Sequence, residues 1–169
     1  MLLTNCKTEK KTEQYVSALY LTENLSDFTN QMTKNDTIRI FAELNMEWWI
    51  RRDELLITKK NNKIQLQVTI KEDTTFERKF QMRTNKLSTI NLKNLNNNFE
   101  QHFVNKIKRT EYKPVRQYIY KIMAPNDTLT FYTRDLADKG KEIEDYYKFM
   151  SQYYPNEKEF ISIEVKKEN

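Results

Sequence analysis

Leu55-Leu56-Ile57-Thr58-Lys59-Lys60-Asn61-Asn62-Lys63-Ile64-Gln65-Leu66-Gln67-Val68 is the stretch whose reading decides the fold. Lys60-Asn61-Asn62-Lys63 has the composition of a two-residue hairpin turn, because asparagine tolerates the positive φ that such a turn requires. Pairing outward from it sets Ile57 opposite Leu66 and Leu55 opposite Val68. The apolar residues of both strands then share one face, the condition that a half-buried antiparallel pair must meet. A three-residue loop, Asp73-Thr74-Thr75, is expected to return the chain. That loop would place Arg78 opposite Ile70, Phe80 opposite Val68 and Met82 opposite Leu66, making residues 54–84 a three-stranded meander.

Upstream, Ile38, Ile40, Ala42 and Leu44 alternate with polar or mixed positions and predict a strand, with Met46, Trp48 and Ile50 continuing it past a bend near Asn45. Ala18, Leu21, Leu25, Phe28 and Met32 recur at spacings of three and four, so about 12–33 reads as an amphipathic helix. Downstream, 85–97 is asparagine-rich and reads as a loop. Asn97 and Glu100 resemble a capping box opening a helix over about 98–110.

Tyr118, Tyr120 and Ile122 pair in parity with Leu129 and Phe131 across Pro125-Asn126-Asp127. Leu136, Ile143, Tyr147, Met150 and Tyr154 form a last helical stripe ended by Pro155. The lone Gly140 lies on that stripe, implying a close approach there or a separate turn over 135–139. Ile161, Ile163 and Val165 predict a final strand. Asn35-Asp36-Thr37-Ile38 and Asn126-Asp127-Thr128-Leu129 echo each other as turn-to-strand chemistry.

Strands in consecutive runs joined by tight turns imply antiparallel pairing. The expected class is α+β: an antiparallel, meander-rich sheet of about six to seven strands with three helices covering one face. Residues 1–11 read as a flexible N-terminal segment or tether, and 12–169 as a single α+β domain.

The chain has 169 residues but one glycine, one histidine and one cysteine. Phosphate-cradling loops need several glycines, zinc sites need three or four Cys or His ligands, and nucleophilic triads need an imidazole base. No catalytic residue, cofactor, metal or small-molecule ligand is therefore expected, and His102 reads as a boundary residue beside Phe99. A carboxylate-based hydrolase is the remaining enzymatic route. Glu77-Arg78-Lys79 resembles the Asp/Glu-x-Lys of restriction-endonuclease-like nucleases, but such triplets also start at 9, 111 and 164, as expected in so charged a chain. Glu43, Glu47, Asp53 and Glu54 near Trp48-Trp49 are a second carboxylate group.

Leu3-Thr4-Asn5-Cys6, followed by Lys7-Thr8-Glu9-Lys10-Lys11-Thr12-Glu13, resembles the lipobox and polar tether of a bacterial lipoprotein. The resemblance implies acylation of Cys6 and anchoring at the cell-envelope membrane, provided the apolar leader lies upstream of Met1. Otherwise the expected location is cytoplasmic.

Charge is uneven. Residues 61–125 carry thirteen basic and five acidic groups, and 126–169 seven and ten. Lys63, Lys71, Lys79, Arg83, Lys106, Lys108 and Arg109 are a candidate patch for nucleic acid or another anionic partner. Eight of the ten tyrosines fall between Tyr112 and Tyr154, interleaved with basic residues. Aromatic and arginine side chains dominate protein interfaces, so the leading expectation is a non-catalytic, immunity- or inhibitor-like protein that occludes a protein partner. Its candidate contacts are Trp48, Trp49, Tyr112, Arg116, Tyr118, Tyr132, Tyr146 and Tyr153.

Overall fold

A computed structural model of the chain describes residues 15–46, 49–73, 82–92, 98–107 and 118–161. Its frame is one antiparallel sheet built from β1 (Thr37–Glu43), β2 (Arg51–Lys60), β3 (Lys63–Asp73), β4 (Met82–Lys86), β5 (Ile90–Leu92), β6 (Tyr118–Met123) and β7 (Thr128–Tyr132). The order is β4-β3-β2-β1-β6-β7, with β5 also on β3. The α+β class and the meander order expected from the sequence are therefore what the chain adopts.

The deciding hairpin forms in the expected register, Ile57 facing Leu66 and Leu55 facing Val68. Asn61 and Asn62 both take positive φ, 50° and 57°, the pair of left-handed residues that matches the twist of the flanking strands. Ile38, Ile40, Ala42, Leu55, Ile57, Leu66, Val68, Ile70, Tyr120, Ile122 and Phe131 are buried together on one face. Helices α3 (Asn98–Ile107) and α4 (Leu136–Ser151) cover that face with Phe99, Phe103, Ile143, Tyr146, Phe149 and Met150. The opposite face carries Arg39, Arg52, Glu54, Gln65, Gln67 and Lys71, as a sheet wetted on one side should.

The return from β3 differs from expectation. Met82 pairs with Asp73, not with Leu66, so the connection is longer and of the other parity. Met82 is consequently exposed. Most of the expected third strand, 74–81, lies outside the described residues. Its apolar role passes to a segment read as loop: Leu87 is buried, and Ile90 and Leu92 of β5 pair with Leu66 and Ile64. The register slips by one residue between β4 and β5, which returns apolar side chains to the core face. Upstream, β2 begins at Arg51, and Met46 bridges Trp49 in a tight hairpin, with 47–48 outside the description.

The N-terminal helix is also corrected. Residues 15–20 are not helical, and the apolar spacing is met by two single turns, α1 (Leu21–Asn24) and α2 (Phe28–Gln31). The competing influence is a set of polar grips from the two echoing tetrapeptides. Asp127 accepts from the backbone N–H of Leu21 and Thr22, both at 2.9 Å. Asn126 donates to the carbonyls of Ser17 and Leu19 at 2.9 and 3.0 Å. Asp36 accepts from the Tyr15 hydroxyl at 2.9 Å and the Thr33 N–H at 2.7 Å. Burial works to raise the Asp36 carboxyl, but hydrogen bonds from Ser17, Thr33 and Tyr15 outweigh it and hold the group below its ordinary value. Residues 15–22 thus form a strap latched to one end of the sheet.

Three further expectations change. Glu100 accepts from the Thr29 N–H and hydroxyl and joins α3 to α2 rather than closing a capping box. Gly140 lies inside α4, which starts at Leu136 behind the N-cap Asp135, and a Cβ on Gly140 would meet nothing within 4 Å. Ile161 follows a 3₁₀ turn (Lys158–Phe160) and is not in a strand, while Ile163 and Val165 lie outside the described residues.

Candidate functional site

Strand direction places two groups of residues at opposite ends of the sheet. At one end are the Asn61-Asn62 turn, the start of β1, the β6–β7 turn and the strap they hold. At the other are Trp49, Arg51, Glu72, Met82, Tyr118 and Tyr132. Strands of seven to eleven residues separate the ends by roughly 25–35 Å.

The second end contains a cleft of about 460 Å³. Trp49, Arg51 and Glu72 come from β2 and β3 or the residue just before them. Gly140, Ile143, Glu144 and Tyr147 share one face of α4, and Lys158, Glu159 and Ile161 close the third side. The 3₁₀ turn reaches this end because Arg51 Nη1 donates to the Glu159 carbonyl at 3.1 Å and Arg83 bridges the Glu72 and Glu159 carboxylates at 3.3 and 2.6 Å.

Beneath the cleft lies a buried polar knot. The Arg51 guanidinium donates two parallel bonds of 2.8 Å to Asp53, and the Tyr146 hydroxyl donates to the same carboxylate at 2.8 Å. Burial pulls the Arg51 pKa down, yet the Asp53 bonds more than compensate and keep it above its ordinary value. Burial raises the Asp53 pKa, with Arg51 and Tyr146 opposing it. The rings of Trp49, Tyr147 and Phe160 stand around the guanidinium at 5.8, 5.2 and 5.5 Å. Trp49 is oriented by a 2.7 Å bond from its indole N–H to Glu72. Burial raises the Tyr147 hydroxyl's pKa, so the wall is a neutral phenol.

Of the expected partner contacts, Trp49, Tyr118 and Tyr132 stand at this end, only Trp49 of them lining the cleft. Trp48, Tyr112 and Arg116 lie outside the described residues. Tyr146 is a correction: it is fully buried, because its hydroxyl is needed by Asp53. Tyr147, not singled out for contact, lines the cleft in its place. Tyr153 packs on Phe99 and Phe149, away from the cleft end. Tyr118 leaves the alternation of Tyr120 and Ile122 through a bulge, and its hydroxyl donates to Glu43 at 2.9 Å.

The anionic-partner patch is corrected in one member. Lys106 is buried, paired with Glu142 and set 5.6 Å from the Tyr120 ring, so it presents no charge to a phosphate backbone. Lys63 and Lys71 are exposed but far apart along β3, and Arg83 is committed to two carboxylates. Cys6, Lys79, Lys108 and Arg109 lie outside the described residues, as do Glu77-Arg78-Lys79 and Glu47. The carboxylates weighed for hydrolysis do not converge. Asp53 faces the helices, Glu54 pairs with Arg39 on the open face, and Glu43 is held by Arg52 and Tyr118. Among the described residues no group of three or more His, Cys, Asp or Glu could hold a metal ion.

His102 packs deeper than a boundary residue. It stacks on Phe149 at 4.0 Å and shares a 3.0 Å bond with the Tyr120 hydroxyl. Burial, then the nearby Lys106 charge, lowers its pKa to about 3. No described helix is long and apolar enough to cross a membrane. Compared with family models, with curated proteins and with solved structures, the chain matches none.

Proposed function

We propose that this protein is a non-catalytic binding domain that occludes a polypeptide partner, in the manner of an immunity or inhibitor protein, through the cleft end of its sheet. The observation that carries this reading is the polarity of the molecule. The N-terminal strap is latched at one end, and an open cleft walled by Trp49 and Tyr147 stands at the other. If Cys6 is acylated, the strap end faces the membrane and the cleft end projects away from it. Rings fixed from behind suit recognition, because they bury large area with little further loss of rotamer freedom.

A photo-crosslinking residue placed at Lys158, on the cleft rim, should give a discrete heavier product in the producing cell. The same residue at Asn62, in the strap-end turn, should not. Equal labelling from both positions, or none from Lys158, would remove this assignment.

The second reading, contact with nucleic acid, draws on the uncovered sheet face, where Arg52 and Lys71 stand side by side in register. It requires a steep loss of oligonucleotide affinity with added salt.

A further inference from the structure

The cleft has a feature that intramolecular packing does not use. Gly140 is the only glycine of the chain, and it stands inside a 16-residue helix, where glycine is the least favourable residue after proline. A side chain there would meet nothing within 4 Å. The missing Cβ leaves bare backbone on the wall of the cleft, with Ile143 and Tyr147 on the same helix face and Trp49 and Ile161 across from them. A long, slender group can lie against such a wall.

The charges of the lining indicate what that group carries at its tip. Three carboxylates, Glu72, Glu144 and Glu159, line the cleft against Lys158 and an Arg51 whose charge is already held by Asp53. Glu144 and Glu159 stand on opposite walls. The one pair that Glu144 makes, with Lys148, has both side chains more than half exposed. Such a pair is worth little and can be exchanged. In a chain of net charge +5 this is a locally acidic recess with an aromatic lining.

We infer that the cleft is the receptor for a lysine or arginine side chain of the partner polypeptide. Its alkyl stem lies along Gly140, Ile143 and Tyr147, and its cationic head sits between Glu144 and Glu159. Ring faces and carboxylates together recognise a cation better than either alone. This rests on the proposed function and specifies its partner.

Gly140 supplies the probe. As the sole glycine it gives one identifiable backbone signal in a ¹⁵N-labelled sample, and the Trp49 indole N–H reports the facing wall. The labelled protein is titrated with the N-acetyl methylamides of arginine, lysine, leucine and glutamate. Arginine and lysine should shift both signals saturably, and leucine and glutamate should not. Glu144→Gln should weaken the arginine response about tenfold, and Gly140→Leu, which fills open space, should abolish the Trp49 shift. Gly140→Ala is the folding control and should retain the wild-type spectrum elsewhere. A leucine response as strong as that of arginine overturns the cationic assignment while leaving the occluding end of the molecule intact. Silence of Gly140 toward all four probes overturns the cleft as receptor, whatever the Lys158 crosslink gives.

Discussion

His102 shows how one buried side chain sets a property of the whole protein. Its ring lies flat on Phe149 and bonds Tyr120, so no room is left to hydrate an imidazolium, and Lys106 adds a like charge nearby. In the unfolded chain the same histidine titrates near its ordinary value of about 6.5. Above that pH both states hold it neutral and it contributes no pH dependence. Below it the unfolded state takes up a proton that the folded state refuses until about pH 3. Unfolding free energy should therefore fall with acidification by up to ~1.4 kcal/mol per pH unit across this window. His102→Phe should flatten that slope in urea denaturation between pH 6 and pH 4. An unchanged slope would mean that the imidazole is protonated in the native state.

At the scale of the element, the Asn61-Asn62 turn is legible because one local rule decides it, and it supports a prediction. Both residues hold left-handed backbone, which costs asparagine something and glycine almost nothing. Asn62→Gly should stabilise the protein by about 0.5–1 kcal/mol in thermal or urea unfolding; a loss of stability would mean that the Asn62 side chain is used elsewhere. Hairpins, the α4 stripe and the covered sheet face were all readable from apolar spacing. What escaped was decided by partners distant in sequence. Spacing marked Leu21, Leu25, Phe28 and Met32 as one stripe, and all four are buried. Asp127, 106 residues from Leu21, nevertheless starts the first turn where the pattern alone would not. The one-residue slip between β4 and β5 likewise left no mark in composition. At the cleft, aromatic density pointed to the right region, but not to which of Tyr146 and Tyr147 faces outward. That choice belongs to Asp53, which takes the Tyr146 hydroxyl and leaves Tyr147 for the wall. Gly140 was visible as an oddity, and only the geometry shows that the space beside it is empty.

For the molecule as a whole, the strap sets the direction in which everything else points. Its first described residue, Tyr15, is held by Thr33 and Asp36, and its last contacts run to Asn126 and Asp127. All four partners stand at the end of the sheet opposite the cleft. Whatever precedes residue 15 therefore leaves from the far side of the molecule, and a partner can reach the cleft without displacing the strap. Asp127 carries most of this geometry, since it satisfies two N–H groups at the start of α1 and the Thr22 hydroxyl. Removing a capping carboxylate costs about 1–2 kcal/mol. Asp127→Ala should therefore lower stability by that amount and speed hydrogen exchange at the Leu21 and Thr22 amides. Amides of β3 should slow or speed only with global stability, and the cleft signals of Gly140 and Trp49 should stay in place. Equal loss of protection at both ends of the sheet would show that strap and cleft are one cooperative unit, and that tethering at one end is felt at the other.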